Sequence, residues 1–430
     1  MKKPNSRIRN LLYNGSPVYC SATVSVLNKK TNTTDNKTLS PENFRITGNN
    51  YTQSCSNDLP IGNVLCQSIT LRIANDRRQW QDYDWSTAVI VLNSTIIDNG
   101  EPLNIRIGKF YVDGVKYVQS AIEITAYDMI CKTNYGFIIQ NVTPGTTTPT
   151  YSKIWNYFVY LCDTVLATRI GITLGANEHL YTNRCENIIT QSPANSVDLS
   201  AIQPTSKAEY TLREVFGFVA QLVGANIVVD RLTDRIDIVK LNPLSERNII
   251  SGGNLNDEVE DIIDAGTLGD NIQDEIRGYS LSDLDYYVLD KYQSPPELEY
   301  ADVKYTGLSM EYPVKNAANA KLDSITTNDN VIELYNPLLE SAANSQLDQT
   351  NIQNILNALR TQICNKPIRP FDGTFLNNVL LEFGDNVLIQ DADGNIYQSY
   401  ITEHTYNYLG GSDISNSTKT LSKSNNTFFR

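Results

Sequence analysis

Side chains able to do chemistry are few in this sequence, and their spacing does not assemble a reactive centre. There are two histidines, His179 and His404, far apart in the chain. Neither lies in a His-Glu-x-x-His helix or another spacing that brings two imidazoles to one metal. His404 falls in the alternating run from Ile401 to Tyr406, which places it on a strand face, as a surface or satisfied histidine. The sequence contains no Gly-x-Ser-x-Gly elbow, no glycine loop ending in Lys-Ser or Lys-Thr, and no Gly-x-Gly-x-x-Gly turn. Asp391, Asp393 and Gly394 resemble the start of a calcium loop but lack its third ligand position and distal glutamate, so they read as a hairpin turn. Carboxylates are plentiful, but a glycosidase pair needs a cleft and two contrasting environments. Asp128, at the end of a strand, fits an acceptor of backbone N–H groups that starts a turn. No residue is assigned a catalytic, cofactor-binding or metal role, and the chain is not expected to be an enzyme.

The elements that would position such residues are mostly strands. From Pro102 to Met129, Ile105, Ile107, Phe110 and Val112 flank Gly108, and Asp113-Gly114 supplies the backbone of a two-residue hairpin turn. Val118, Ile122 and Ile124 then resume the alternation. Short apolar runs at Val24–Leu27, Val64–Ile73 and Ala88–Leu92, with a turn at Asn99-Gly100, make residues 1–140 a sheet-rich unit. Residues 143–150, TPGTTTPT, read as a linker.

Residues 150–245 form an α/β module. Ile154, Phe158, Leu161 and Val165 recur at helical spacing. Thr211 and Glu214 make a capping-box pair ahead of the stripe Leu212, Val215, Phe216, Val219, Leu222, Val223, which Gly224 ends. A hairpin follows, Asn226–Asp230 and Arg235–Leu241. Residues 246–299 are an acidic connector. Between Asn254 and Asp290 eleven Asp and Glu face one base, Arg277. That run reads as a solvated connector, or alternatively as the acidic wall of a passage or a docking arm. Residues 300–412 carry strand signals at Ala301–Tyr305 and Val331–Tyr335, then a helix with Ile352, Ile355, Leu356, Leu359 and Ile363 on one face. Strand runs follow at Val379–Phe383, Val387–Ile389 and Ile396–Ile401. Residues 413–430 are a polar tail. The fold class is α+β, mainly β.

The net charge of −13 argues against a sequence-independent grip on nucleic acid or anionic lipid. No window reaches the length of a membrane span, and MKKPNSRIRNLL lacks a signal-peptide core, so a membrane anchor is not expected and the chain should be made in a cytoplasm. There the seven scattered cysteines are expected to be free thiols. Tyrosine is abundant, 25 copies, which suits interfaces and barrel surfaces.

Three blocks stand out together. The first is Ile107-Gly-Lys-Phe-Tyr-Val-Asp113 leading to Ile124-Thr-Ala-Tyr-Asp-Met129. The second is Thr211-Leu-Arg-Glu-Val-Phe-Gly-Phe-Val-Ala-Gln-Leu-Val-Gly224. The third is Asn336-Pro-Leu-Leu339, the 352–363 helix, Ile368-Arg-Pro-Phe371 and Leu381-Glu-Phe-Gly-Asp-Asn-Val387. In order and spacing they resemble the tail-hub (baseplate hub) proteins of long-tailed bacteriophages, phage-like bacteriocins and contractile injection systems. The resemblance implies a homotrimeric ring in which each chain gives two tube-like β-barrel domains, here 1–140 and 300–412. Three chains would then present a pseudo-sixfold face that adapts a sixfold tail tube to a threefold tip or spike. It also implies a place in the virion tail and contacts with a tail tube or distal tail protein, a tip or spike protein, a tape measure protein and other baseplate proteins. DNA would pass through the channel without specific binding. Many relatives carry a C-terminal lytic or receptor-binding extension, which is not expected here. Two other readings remain open: a trimeric carbohydrate-binding tail adhesin, and a cell-wall hydrolase using paired carboxylates.

Overall fold

The computed structural model describes residues 6–55, 59–137, 153–197, 199, 210–241, 287–314, 317–327, 330–340, 346–376, 379–408 and 411–416. The 143–150 linker and most of the acidic run lie outside them.

After α1 (Ser6–Tyr13) come β1 (Val18–Asn28), β2 (Thr33–Leu39), β3 (Asn50–Ser54), β4 (Cys66–Ala74), β5 (Tyr83–Asp98), β6 (Glu101–Val118) and β7 (Ala121–Tyr127). In β1 and β4 every second residue is buried, the period of a strand with one face on a core. Asn99 and Gly100, both at positive φ, make the tight β5–β6 turn. The expected turn at Asp113-Gly114 is instead a bulge. Val112 pairs with Ala126 and Gly114 with Thr125, leaving Asp113 as the extra residue within β6. The chain reverses later, at Gln119 and Ser120, with Gln119 at φ 46°.

The module holds β8 (Gly136–Phe137), α2 (Ile154–Tyr160), a π-helical stretch Leu161–Leu166, α3 (Ala167–Ile170), α4 (Asn183–Thr190), β9 (Tyr210–Thr211), α5 (Leu212–Leu222) and the hairpin β10 (Asn226–Asp230) and β11 (Arg235–Val239). The capping box is present: Thr211 Oγ1 accepts from Glu214 N at 3.2 Å, and Thr211 N donates to Glu214 Oε2 at 2.6 Å. Gly224, at φ 68°, ends the helical path.

The later strands are β12 (Tyr287–Leu289), β13 (Glu297–Leu298), β14 (Gly307–Tyr312), β15 (Ala320–Ile325) and β16 (Val331–Tyr335). Then come α6 (Gln346–Ile363), β17 (Phe371–Phe375), β18 (Asn386–Gln390), β19 (Ile396–Tyr400), β20 (Glu403–Asn407) and β21 (Gly411–Asn416).

One eleven-stranded sheet runs β13-β17-β21-β20-β3-β4-β7-β6-β5-β1-β2. Its named strand pairs are antiparallel, and late strand β20 joins early strand β3 with Tyr406 opposite Tyr51. The sheet curls strongly. Ser94 on β5 meets the Tyr408 hydroxyl at 2.8 Å, although four strands separate β5 from β20. Val24, Ile69, Ile90, Phe110, Tyr51 and Tyr406 fill the enclosed core. Strands β12-β18-β19 and β15-β14-β16 form two smaller mixed sheets. The second of these shares one core with α6 and the module.

The late region therefore does not stand as one block. Residues 307–363 belong with the module, while β17, β20 and β21 extend the early sheet. Strands also occur at 287–289 and 297–298, within the expected connector, and β21 takes in residues 413–416 of the expected tail. Ala301–Tyr305 gives only a Val303–Ile368 bridge. Residues 379–383 form a turn rather than a strand, because side chains take their backbone groups.

Thr211→Ala is expected to cost about 1 kcal/mol of stability, read from a urea midpoint at unchanged slope. An unmoved midpoint would deny the cap its role.

Candidate functional site

A cleft of ≈ 790 Å³ has three walls. Ile105 and Arg106 of β6 form one. The tip of the β10–β11 hairpin, with Arg184 at the start of α4, forms the second. The 380–383 turn forms the third. Each wall comes from a different part of the chain, and arginines tie them together.

Arg231 is central. Its side chain is 8% exposed and pairs with Glu382, and it also donates to the carbonyls of Val379 at 3.1 Å and Leu380 at 3.3 Å. A buried guanidinium needs such a set, since its five donors lose water together. Arg106 pairs with Asp234 and donates from Nε to the Arg231 carbonyl at 3.0 Å. Arg184 grips Asp237 with two nitrogens, and Thr182 Oγ1 adds a bond to the same carboxylate at 2.6 Å. Phe383 N donates to Gln53 Oε1 at 3.0 Å, which joins the turn to β3.

Beneath the turn lies His404, fully buried, with Nδ1 donating to the Leu381 carbonyl at 3.1 Å. Burial, then the Arg231 charge, pushes its pKa down to about 3. It stays neutral and structural, in keeping with its place on the strand face. Asp128 also works on the backbone: its carboxylate accepts Gln67 N and Ile130 N, each at 3.0 Å, and starts the 129–133 turn. Burial nevertheless pushes its pKa up to about 7, against the pull of those two N–H groups.

His179 sits elsewhere, on the surface, with Nδ1 at 2.7 Å from Asp163 and its ring stacked on Tyr181. The structure does not bring the two histidines together. Asp391 closes its own turn, accepting Asp393 N at 2.9 Å and Asn395 N at 2.8 Å. Among the described residues no group of three or more His, Cys, Asp and Glu could hold a metal ion. All seven cysteines are free thiols, and four are buried.

The cleft lining contains no serine, cysteine or histidine, and guanidinium groups hold Asp237 and Glu382. Chemically it is an apolar trough with a charged rim. Sequence reading missed Arg106, Arg184, Arg231, Asp237 and Glu382. Arg231 and Glu382 are 151 positions apart, so no local pattern links them.

No protein-family model matches the sequence, and no curated protein matches it. Two solved structures give partial likeness. A chain of the phage P2 baseplate in its activated conformation with Ca has a TM-score of 0.31 and 10% identity, covering 93% of this chain and 99% of that one. A chain from a topological model of the P2 virion baseplate, also activated, has a TM-score of 0.30 and 10% identity, covering 94% and 100%. Both scores lie below the range that marks a shared fold. No helix of the described residues is long and apolar enough to cross a membrane.

Arg231→Ala should destabilise by about 3–5 kcal/mol because it strands a half-desolvated carboxylate. Arg231→Met with Glu382→Leu should recover most of that loss in the same urea titration. Equal losses in both chains would show that the pair does not hold the joint.

His404 and Asp128 give opposite pH slopes. Between about 3 and 6.5 the folded chain binds fewer protons at His404 than the unfolded one, so this stability is lost as pH falls. Between 3.8 and about 7 it binds more at Asp128, so that stability is lost as pH rises. His404→Gln should therefore turn the stability profile downward with rising pH, and Asp128→Asn upward. Each change is worth at most about 1.4 kcal/mol per pH unit over the shared window. Urea midpoints at three pH values check this, and profiles parallel to wild type would contradict it.

Proposed function

We propose that this chain is a non-enzymatic structural component of the baseplate of a phage or phage-like tail, acting as its hub. The observation that carries this reading is where the three hub-like sequence blocks lie. Part of each meets at α5. The middle block is the helix itself. From the first block, buried Asp128 lies within reach of the charge of Arg213 on α5. From the third, Asn336 Nδ2 donates to the Phe218 carbonyl at 2.9 Å and to Gln221 Oε1 at 2.8 Å. Gln362 Nε2 donates to the Gly224 carbonyl at 2.5 Å. Asp128, Asn336 and Gln362, from blocks singled out together in the sequence, thus meet one helix, which supports a shared scaffold.

On this reading three copies form a ring that joins the sixfold tail tube to a threefold tip. The curled eleven-stranded sheet serves as one tube-like unit. A second unit, if the ring is pseudo-sixfold, is drawn from the two smaller sheets rather than from 300–412 as a block. Partners are a tail tube or distal tail protein, a tip or spike protein, a tape measure protein and other baseplate proteins. A net negative lumen would keep passing DNA from sticking.

Light scattering on the purified chain, with negative-stain imaging, tests this. The expected result is a three-chain mass and rings with an axial hole. A species without rings that binds cell-surface glycans on an array would replace the hub with the adhesin.

A further inference from the structure

Inside the curled sheet, the seam between β3 and β20 carries a run of polar tips on its buried face. His404, Tyr406 and Tyr408 follow at every second position along β20 and just past its end, and Tyr51 and Gln53 do the same on β3 beside it. All of them are buried, and Tyr51, His404 and Tyr406 have no exposed surface. Such groups lose water on folding and need replacement partners. Most have one. The Tyr408 hydroxyl meets Ser94 Oγ at 2.8 Å, Gln53 Oε1 accepts Phe383 N at 3.0 Å, and His404 Nδ1 donates to the Leu381 carbonyl at 3.1 Å.

Three atoms break the pattern. Tyr51 Oη, Tyr406 Oη and His404 Nε2 have no hydrogen-bond partner among the described residues. They belong to one cluster. Tyr51 lies opposite Tyr406 across the β3–β20 pairing, and the His404 ring centre is 6.5 Å from that of Tyr51 and 6.3 Å from that of Tyr406, edge-on in both cases. With its proton on Nδ1, His404 offers a lone pair at Nε2, whereas each phenol hydroxyl both donates and accepts. One acceptor and two such hydroxyls in one place match a buried water, which makes about three hydrogen bonds. The way in is short. Gln53, two positions from Tyr51, lines the cleft, and the Leu381 carbonyl that holds His404 belongs to the turn forming the third wall.

We propose that the curled sheet binds ordered water at a site built by Tyr51, Tyr406 and His404, reached from the cleft beneath the 379–383 turn. The water hydrates the seam where early and late strands join. This site is independent of the hub reading and would stand if the chain were an adhesin.

The first test is a sign. Where water bridges the three side chains, deleting a hydroxyl leaves that water and His404 short of a partner, and the fold weakens. Where the hydroxyls are buried without a partner, deleting one removes a desolvated polar group, and the fold strengthens. In urea titrations of the full chain, Tyr51→Phe and Tyr406→Phe are each expected to cut the folded-to-unfolded ratio roughly fivefold. A ratio unchanged or raised in either variant would overturn the proposal. A crystal structure of the unaltered chain gives the second reading, with a solvent peak expected within about 3.2 Å of His404 Nε2 and of both hydroxyls. A core without that peak, with a phenol bonded directly to His404 Nε2, would overturn the proposal even if both variants were weakened.

Discussion

A single buried cation sets the terms for this fold. Arg231 leaves the β10–β11 hairpin and enters a turn, 379–382, that has no sheet of its own to satisfy its carbonyls. Without the guanidinium the half-buried Glu382 carboxylate would lose its ion pair, a far larger cost than the net gain of the pair. Burial, then that charge, keeps its neighbour His404 neutral, and the Leu381 carbonyl takes the proton on Nδ1. One side chain therefore ties the turn to the hairpin that carries it.

The second organising feature is α5, which is buried almost all round. Close approach is built in: a Cβ on Gly217 would sit 2.9 Å from the Gly62 carbonyl, and one on Gly224 would meet Leu359 and Gln362. The 59–64 segment and α6 approach this closely because those two positions are bare. Together the Arg231 joint and α5 tie early, middle and late segments to one another.

Local structure was legible in the sequence wherever its cause was local. The capping box of Thr211 and Glu214, the apolar faces of α5 and α6, the Asn99-Gly100 turn and the 226–239 hairpin depend on neighbours within a few positions. Asp128 was readable for the same reason, as a carboxylate at a strand end. Two kinds of feature were not readable. Asp113-Gly114 carries the chemistry of a turn and of a bulge alike, and only pairing with β7 decides between them. The Arg231–Glu382 contact, the β20–β3 pairing and the turn at 379–383 depend on partners 150 to 350 positions away, where neither periodicity nor capping leaves a trace.

The functional reading rests on these segments behaving as one cooperative body, since a hub must pass load between tube and tip. Native-state hydrogen exchange measures that directly. The amides of β20, at His404 and Tyr406, and those of β3 and β4, at Tyr51 and Ile69, should open together with one free energy and one denaturant dependence. If β20 opened at a much lower free energy while β3 and β4 stayed protected, the late strands would be an appendage and the account would fail.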